Sequence, residues 1–294
     1  MRVLITGSNG QLGSEIKALV FYYKELDLIF KDLPELDICN FNELQSFIIK
    51  SNINAVINCA AYTAVDKAEQ DAEIAEEVNS KGVLNLVNAL QTVNGKLIHI
   101  STDYVFDGNN YLPYEETDPV SPIGVYGETK RVGELAVING VIDSIVIRTS
   151  WLYSSNGNNF VKTMLRLGSE KENLGVIYDQ VGTPTYARDL AKTCLEILCG
   201  DSSLNISKNG NLYHYSNEGV ASWYDFAILI MELGGESCKV KPIQTKDYPT
   251  LAKRPHYSVL NKSKIKADFK IEIPYWKDSL RDCIEKIITI NDSI

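Results

Sequence analysis

The chain carries only three histidines among its 294 residues, and His99, His214 and His256 stand far apart. A structural zinc site draws on closely spaced His and Cys ligands, so none is expected. Six cysteines (39, 59, 194, 199, 238 and 283) form no C-x-x-C pair, which argues against a disulfide framework as well. The nearest two, Cys194 and Cys199, fall in an apolar helical pattern, the usual setting of a buried free thiol. No window approaches the roughly 18 consecutive apolar residues of a membrane-spanning helix. The start, MRVLITGSNG, lacks the longer apolar region and cleavage site of a secretory signal, so a cytoplasmic location is expected. Basic residues are in deficit, Lys+Arg 29 against Asp+Glu 38, for a net charge of −9. That balance argues against a protein that coats nucleic acid or an anionic membrane. It does not exclude a local site for an anionic small ligand, because exposed charges beyond about 8 Å are screened.

What is present is an ordinary globular composition, 45% hydrophobic and 23% charged, which excludes intrinsic disorder. The length fits one large domain or two closely joined ones. Short apolar runs at 2–6, 27–30, 55–60, 96–101 and 144–150 read as buried strands. Amphipathic stretches near 11–23, 41–51, 70–93 and 124–140 read as the helices between them. This alternation predicts an α/β fold with a doubly wound parallel sheet built from right-handed crossovers. After residue 150 the rhythm loosens. Loops at 154–159, a strand at 174–178 and helices at 188–199, 222–234 and 275–290 predict a smaller mixed α/β lobe. The expected division is 1–150, rejoined by about 182–205, for the sheet domain, with 151–181 and 206–294 forming a substrate-binding lobe. Ligands of such sheets lie beyond the carboxyl ends of the strands, and the chemical motifs fall at those ends.

The first strand runs into TGSNGQLG, which spaces Gly7, Gly10 and Gly13 as G-x-x-G-x-x-G. Glycine permits the tight turn and lets a pyrophosphate approach the N–H groups of the following helix. A glycine triplet alone is weak and serves turns and packing equally well; its place between a strand and a helix is the context that a Rossmann-type dinucleotide site requires. Asn9, Gln11 and Leu12 complete the turn. Asp32 ends the second strand near the spacing of about 20 residues at which an acid meets the ribose. Lys31 stands ready for a 2′-phosphate instead, so NADPH and NADH both remain open. Small residues at the end of the third strand, Ala60 and Ala61 after Asn58 and Cys59, leave room for a cofactor or serve strand packing. In YGETK, Tyr126 and Lys130 are four apart and share a helix face. A free phenol titrates near pH 10, and a neighbouring ammonium is expected to favour its phenolate. Such a pair is common by chance. Following a fourth strand that ends in Ser101-Thr102, it suits hydride transfer at a carbonyl, with Thr102 binding the oxygen, Tyr126 protonating it and Lys130 holding the ribose.

On these motifs the chain resembles the extended short-chain dehydrogenase/reductases, and closely the dTDP-4-dehydrorhamnose reductase family. The likeness spans nearly the whole length. It includes CAAYTAVDKAE at 59–69, STDYVFDG at 101–108, PIGVYGETKRVGE at 122–134, RTSWLY at 148–153, GNNFVKTMLRLG at 157–168, DQVGTPTYARDLA at 179–191 and AKRPHYSVL at 252–260. The resemblance implies NADPH- or NADH-dependent reduction of the 4-keto group of dTDP-4-dehydro-β-L-rhamnose, by a monomer or homodimer. It implies that Ala61, Tyr62 and Thr63 follow the cofactor and that Asp37 and Ile38 lie near its adenine. It also implies that Thr102, Asp103, Trp151, Asn159 and Arg254 meet the substrate, Arg254 through the diphosphate. Read without the resemblance, Trp151 is equally a core residue, Arg254 an exposed ion pair and Gly157-Asn158-Asn159 a turn. Some relatives bind Mg²⁺ through acidic residues, and Glu15 matches one of them; a first-turn glutamate favoured by the helix dipole explains it as well, and no metal is expected. Two rivals remain. One is another nucleotide-sugar enzyme of the same fold, an epimerase or a 4,6-dehydratase. The dehydratases follow their threonine with Asp-Glu, whereas Tyr104 follows Thr102-Asp103 here. The other is a non-catalytic cofactor-binding protein like the regulatory subunit of methionine adenosyltransferase.

Overall fold

The computed structural model describes residues 1–140, 142–200 and 212–291. Strand β1 (Arg2–Thr6) lies between β2 (Asp27–Phe30) and β3 (Ala55–Asn58), followed outward from β3 by β4 (Lys96–Thr102) and β5 (Asp143–Thr149). All pair in parallel. The strands are apolar on both sides because helices cover both faces. Val3 and Ile5 point into a core shared with Ile57, Ile98 and Ile147, while Leu4 points the other way to join Val56, Leu97 and Val146. The first core is closed by helix α1 (Gln11–Leu19) and the helix Ala187–Cys199, through Leu12, Ile16, Leu190 and Cys194. The second is closed by the helices Phe41–Lys50 and Gly82–Gln91. From β1 the chain winds outward to β2 and then crosses to β3 on the other side. That reversal opens a crevice at the carboxyl ends of β1 and β3.

Two expectations change. The stretch at 70–93 is not one helix: Ala72–Glu76 and Gly82–Gln91 flank a π-helical turn at Glu77–Lys81. Hydrophobic period cannot register the extra residue of a π turn. The turn carries the buried Asn79, whose side chain accepts from the Tyr62 N–H (2.9 Å) and donates to the Tyr62 carbonyl (3.1 Å). The second change concerns the range 206–294 assigned to the lobe. Its strand Leu212–His214 pairs with β5 as the sixth strand of the central sheet. The proposed boundary near 205 falls at 201–211, outside the described residues.

A third core lies beyond the sheet. It gathers Tyr153 from the short strand Leu152–Tyr153 and Val161, Met164, Phe226, Ile230, Trp276 and Leu280 from the helices Phe160–Glu170, Trp223–Gly234 and Trp276–Asn291. A parallel pair, Asn173–Ile177 with Lys239–Ile243, flanks it. Among the described residues no helix is long and apolar enough to cross a membrane.

Candidate active site

At the end of β1 the chain turns through Gly7, whose φ is +59°. A Cβ there would stand 2.6 Å from the Ala60 nitrogen, and one at Gly13 would stand 2.5 Å from the Ser8 Cα. Both glycines let the turn lie against backbone, Gly7 against the end of β3 and Gly13 against the turn itself. Gly10 caps α1 with no side-chain hydrogen bond, and the first turn holds no acidic residue. The N–H groups and positive dipole end of α1 therefore meet an anion without a competing carboxylate, a donor set that fits a pyrophosphate. Asp32 sits beside this turn, its two oxygens accepting from the Asn9 and Leu33 N–H groups at 2.8 Å each. Lys31 pairs with Glu35 at 2.7 Å. Asp37 accepts from the Cys39 N–H, and the buried Ile38 packs where a Cβ on Gly82 would clash. β3 ends at Asn58 because its side-chain oxygen accepts from both the Thr6 hydroxyl (2.6 Å) and the Ala60 N–H (3.2 Å).

A cleft of about 520 Å³ opens between this turn and the core beyond the sheet. Gly10, Gln11, Leu12, Ala60, Ala61 and Thr63 line it together with Thr102, Asp103, Tyr126, Lys130, Trp151 and Asn159. Gly7, Asn9, Gly13, Asp32, Asp37, Ile38, Tyr62 and Arg254 do not. Tyr62 instead turns its backbone to Asn79 and its hydroxyl to Asp71 (2.8 Å). The structure adds Ile100, Tyr104, Thr149, Ser150 and Leu152 to the lining. Thr149 and Ser150 follow the rule that ligands meet the carboxyl ends of strands, a signal the sequence did contain.

Tyr126 and Lys130 lie in the first turns of the helix Val125–Ile138, Lys130 buried and Tyr126 half-buried on the cleft wall. Burial pushes the Tyr126 phenol up to about 12; the hydrogen bond with Thr102 opposes this and the Asp103 carboxyl adds to it. The expected lowering by Lys130 is therefore corrected. The ammonium donates to the Ile100 carbonyl at 2.6 Å, and burial outweighs any help it gives the phenolate. Burial pulls Lys130 down to about 8, partly offset by Glu134 one turn along the same helix. Glu134 is itself wholly buried and held bidentately by Arg148 at 2.7 and 2.8 Å. Burial pushes Asp103 up to about 7 against the hydroxyls of Thr102 and Ser258. Thr102 donates to Asp103 at 3.0 Å and accepts from the Tyr104 N–H. A neutral phenol beside a hydroxyl, with a buried cation behind, can give a proton to a carbonyl oxygen and stabilise the resulting charge.

On the lobe side, Asn159 caps the helix Phe160–Glu170 through the Lys162 N–H and donates to the Gln11 side chain at 2.9 Å. That bond ties the far wall to the start of α1. Arg254 forks onto Asp66 at 3.1 and 2.7 Å.

Glu15 lies beyond the first turn of α1 and is fully buried, which corrects the helix-dipole reading. It accepts from Ser154 (2.6 Å), Ser155 and Asn156, and it pairs with Lys286 (3.0 Å) and Arg188 (3.5 Å). One carboxylate thus joins α1, the cleft-lining loop and two later helices. Among the described residues no group of three or more His, Cys, Asp or Glu side chains could hold a metal ion. Glu15→Ala is expected to cost about 2 kcal/mol in urea denaturation, less than a wholly buried pair because Lys286 and Arg188 reach solvent. An unchanged midpoint would show that the cluster contributes nothing.

A sheet that reverses its strand order over an uncapped helix N-terminus, with tyrosine and lysine on the opposite wall, places the protein among the Rossmann-type oxidoreductases of the short-chain dehydrogenase/reductase kind. Within that class the chain belongs to the family of the RmlD substrate binding domain, whose model matches residues 1–289. It is 42% identical over 287 residues to the dTDP-4-dehydrorhamnose reductase of Aggregatibacter actinomycetemcomitans, spanning 96% of this chain and 97% of that protein. A crystal structure of a dTDP-4-dehydrorhamnose reductase from Clostridium acetobutylicum superimposes with a TM-score of 0.91 at 42% identity, covering 98% of this chain and 100% of that one. Another from Bacillus anthracis, in complex with NADP, gives 0.91 at 36% identity over 97% and 99% of the two chains.

Proposed function

We propose that this protein reduces the 4-keto group of dTDP-4-dehydro-β-L-rhamnose to dTDP-L-rhamnose with NADPH or NADH. The carrying observation is the meeting of Thr102, Tyr126 and Lys130 in one cleft that also receives the N-terminus of α1. The reduced nicotinamide supplies the hydride. In this reading the α1 turn holds the cofactor's pyrophosphate, and Ala60, Ala61 and Thr63 leave room along its length. Thr102 hydrogen-bonds the substrate oxygen and Tyr126 gives it a proton. Lys130 holds the nicotinamide ribose and stabilises the phenolate left behind. Asp103, Trp151 and Asn159 border the sugar; Asp32, Asp37, Ile38 and Tyr62 shape the cofactor end from outside the cleft lining. Arg254 reaches a diphosphate by exchanging its Asp66 partner. Residues 1–150 with 182–200 and 212–214 make the cofactor half, and most of the remainder forms the substrate lobe. Tyr104 after Thr102-Asp103 supports reduction over dehydration, since it leaves no second carboxylate for elimination.

Turnover with dTDP-4-dehydrorhamnose and each reduced cofactor tests the proposal. Folded protein that oxidises neither cofactor would refute it, and binding without oxidation would favour the regulatory-subunit reading. A pH signature accompanies turnover. Lys130 is charged below about pH 8 and neutral above it, so kcat/KM for the cofactor falls as the pH rises through about 8. A flat profile from pH 7 to about 9.5 contradicts a role for the Lys130 charge.

A further inference from the structure

Trp151 has a left-handed backbone, φ +49°. Such a φ is unfavourable for a bulky side chain, and residues of this kind persist where their surroundings over-determine them. The surroundings here are specific. The Trp151 ring lies flat on Trp223, centroids 3.6 Å apart and planes 9° from parallel. A Cβ on Gly182 would reach 2.5 Å from the Ser258 hydroxyl oxygen, 2.8 Å from Trp151 Cε2 and 2.9 Å from Cζ2, so the absence of that atom makes room for the indole edge and for Ser258 together. Gly182 and Trp223 are themselves placed by one small structure. Val181–Gly182 pairs antiparallel with Ala221–Ser222. Ser222 then caps the helix that Trp223 begins, in a reciprocal capping box with Asp225. Behind Trp223 stands Phe160, 4.6 Å between centroids. The Trp151 carbonyl accepts from the Thr185 N–H at 3.1 Å, which fixes the backbone on the lobe side. Trp151 lines the cleft while Trp223 and Gly182 do not.

We propose that Trp223 and Gly182 are positioning residues that set the pose of Trp151, making its ring a fixed wall for the sugar of the substrate. The pose follows from the packing alone; the ligand assigned to it rests on the proposed reductase activity. A ring held by a stack on one side and a missing Cβ at its edge loses no freedom when a sugar settles against it. The effect therefore falls on sugar-nucleotide binding and spares the cofactor, which lies across the cleft on the α1 turn.

The test uses the full chain with Trp223→Ala, Trp223→Phe and Gly182→Ala, read by steady-state kinetics and by fluorine NMR of 5-fluorotryptophan-labelled protein. Three tryptophans, 151, 223 and 276, keep the spectrum assignable. Trp223→Ala is expected to raise KM for the dTDP-4-keto sugar at least about fivefold, the scale of one aromatic stack. kcat and the cofactor dissociation constant stay within about twofold, and Trp223→Phe recovers most of the KM. Gly182→Ala, which leaves the aromatic cluster behind Trp223 intact, raises KM in the same direction and moves the Trp151 fluorine signal. If Trp223→Ala fails to fold, Gly182→Ala decides the matter. An unmoved Trp151 signal with unchanged KM in Gly182→Ala overturns the proposal, as does an equal loss of cofactor affinity in Trp223→Ala. Should the wild-type enzyme fail to turn over this sugar, the activity reading falls, while the Trp151 signal still decides the pose.

Discussion

Tyr126→Phe is expected to lower kcat about 100- to 10,000-fold, the usual contribution of a placed general acid, while the cofactor dissociation constant stays within about twofold. Burial keeps the phenol protonated far above neutral pH, pushed up to about 12, so the free enzyme holds the proton that the proposed reduction would consume. Phenylalanine removes that proton and little else. The ring keeps its edge-on contact with Tyr104, 5.4 Å between centroids at 78°. Lys130 remains on the Ile100 carbonyl and the α1 turn is untouched, so cofactor binding persists. Thr102 still polarises the carbonyl, which leaves a residual rate. Reduced-nicotinamide fluorescence gives the binding constant and absorbance gives turnover. A variant with near wild-type kcat would assign the proton to another group, and one that loses both activity and cofactor affinity would make the phenol a binding residue.

Gly7→Ala is expected to be the most damaging single-methyl change in the cofactor half, at about 2–5 kcal/mol. Two independent penalties meet there. The left-handed φ of +59° disfavours any Cβ, and that Cβ would stand 2.6–2.7 Å from the backbone of Cys59 and Ala60. Backbone at the end of β3 cannot step aside without disturbing the Thr6–Asn58–Ala60 bonds that terminate the strand. Cofactor affinity should fall with stability, because the same turn aims the α1 N–H groups. Gly10→Ala is the control. Its φ of −71° is ordinary, and its Cβ would meet only the Gly7 carbonyl, at 3.2 Å. Urea midpoints and cofactor titration should separate the two by at least about 1 kcal/mol; equal behaviour would mean that neither the φ nor the contact matters.

The strands and most helices were legible because each carries a strong period and a long buried face. Val3 and Ile5 against Leu4 already state which side each will cover. The three-residue strand Leu212–His214 was not legible, since its place beside β5 depends on a partner more than 60 residues away and on no local pattern. The π turn at Glu77–Lys81 escaped for the opposite reason: it inserts one residue into a pattern that otherwise reads as continuous helix. At the site, Gly7, Gly13, Thr102, Tyr126 and Lys130 are short-range signals, strand ends and helix starts whose spacing is local. Thr149 and Ser150 end the expected strand at 144–150, so the strand-end rule pointed to them, and the pairing of β5 beside β4 is what brings them to the cleft.

From the outset the scarcity of histidine, of paired cysteine and of long apolar runs argued against a structural zinc site, a disulfide framework and a membrane-spanning helix. The periodic strands and the glycine turn then specified a dinucleotide fold, and the Tyr/Lys spacing pointed to the proposed proton transfer, because those features are written within one or two turns of chain. Tertiary structure alone decided the electrostatics and the fit. It engaged Lys130 with a backbone carbonyl, and it surrounded Glu15 with Lys286 and Arg188 from distant helices. It also laid Trp151 on Trp223 above a glycine. Burial and charge depend on what packs nearby, and packing joins residues that no local reading can bring together.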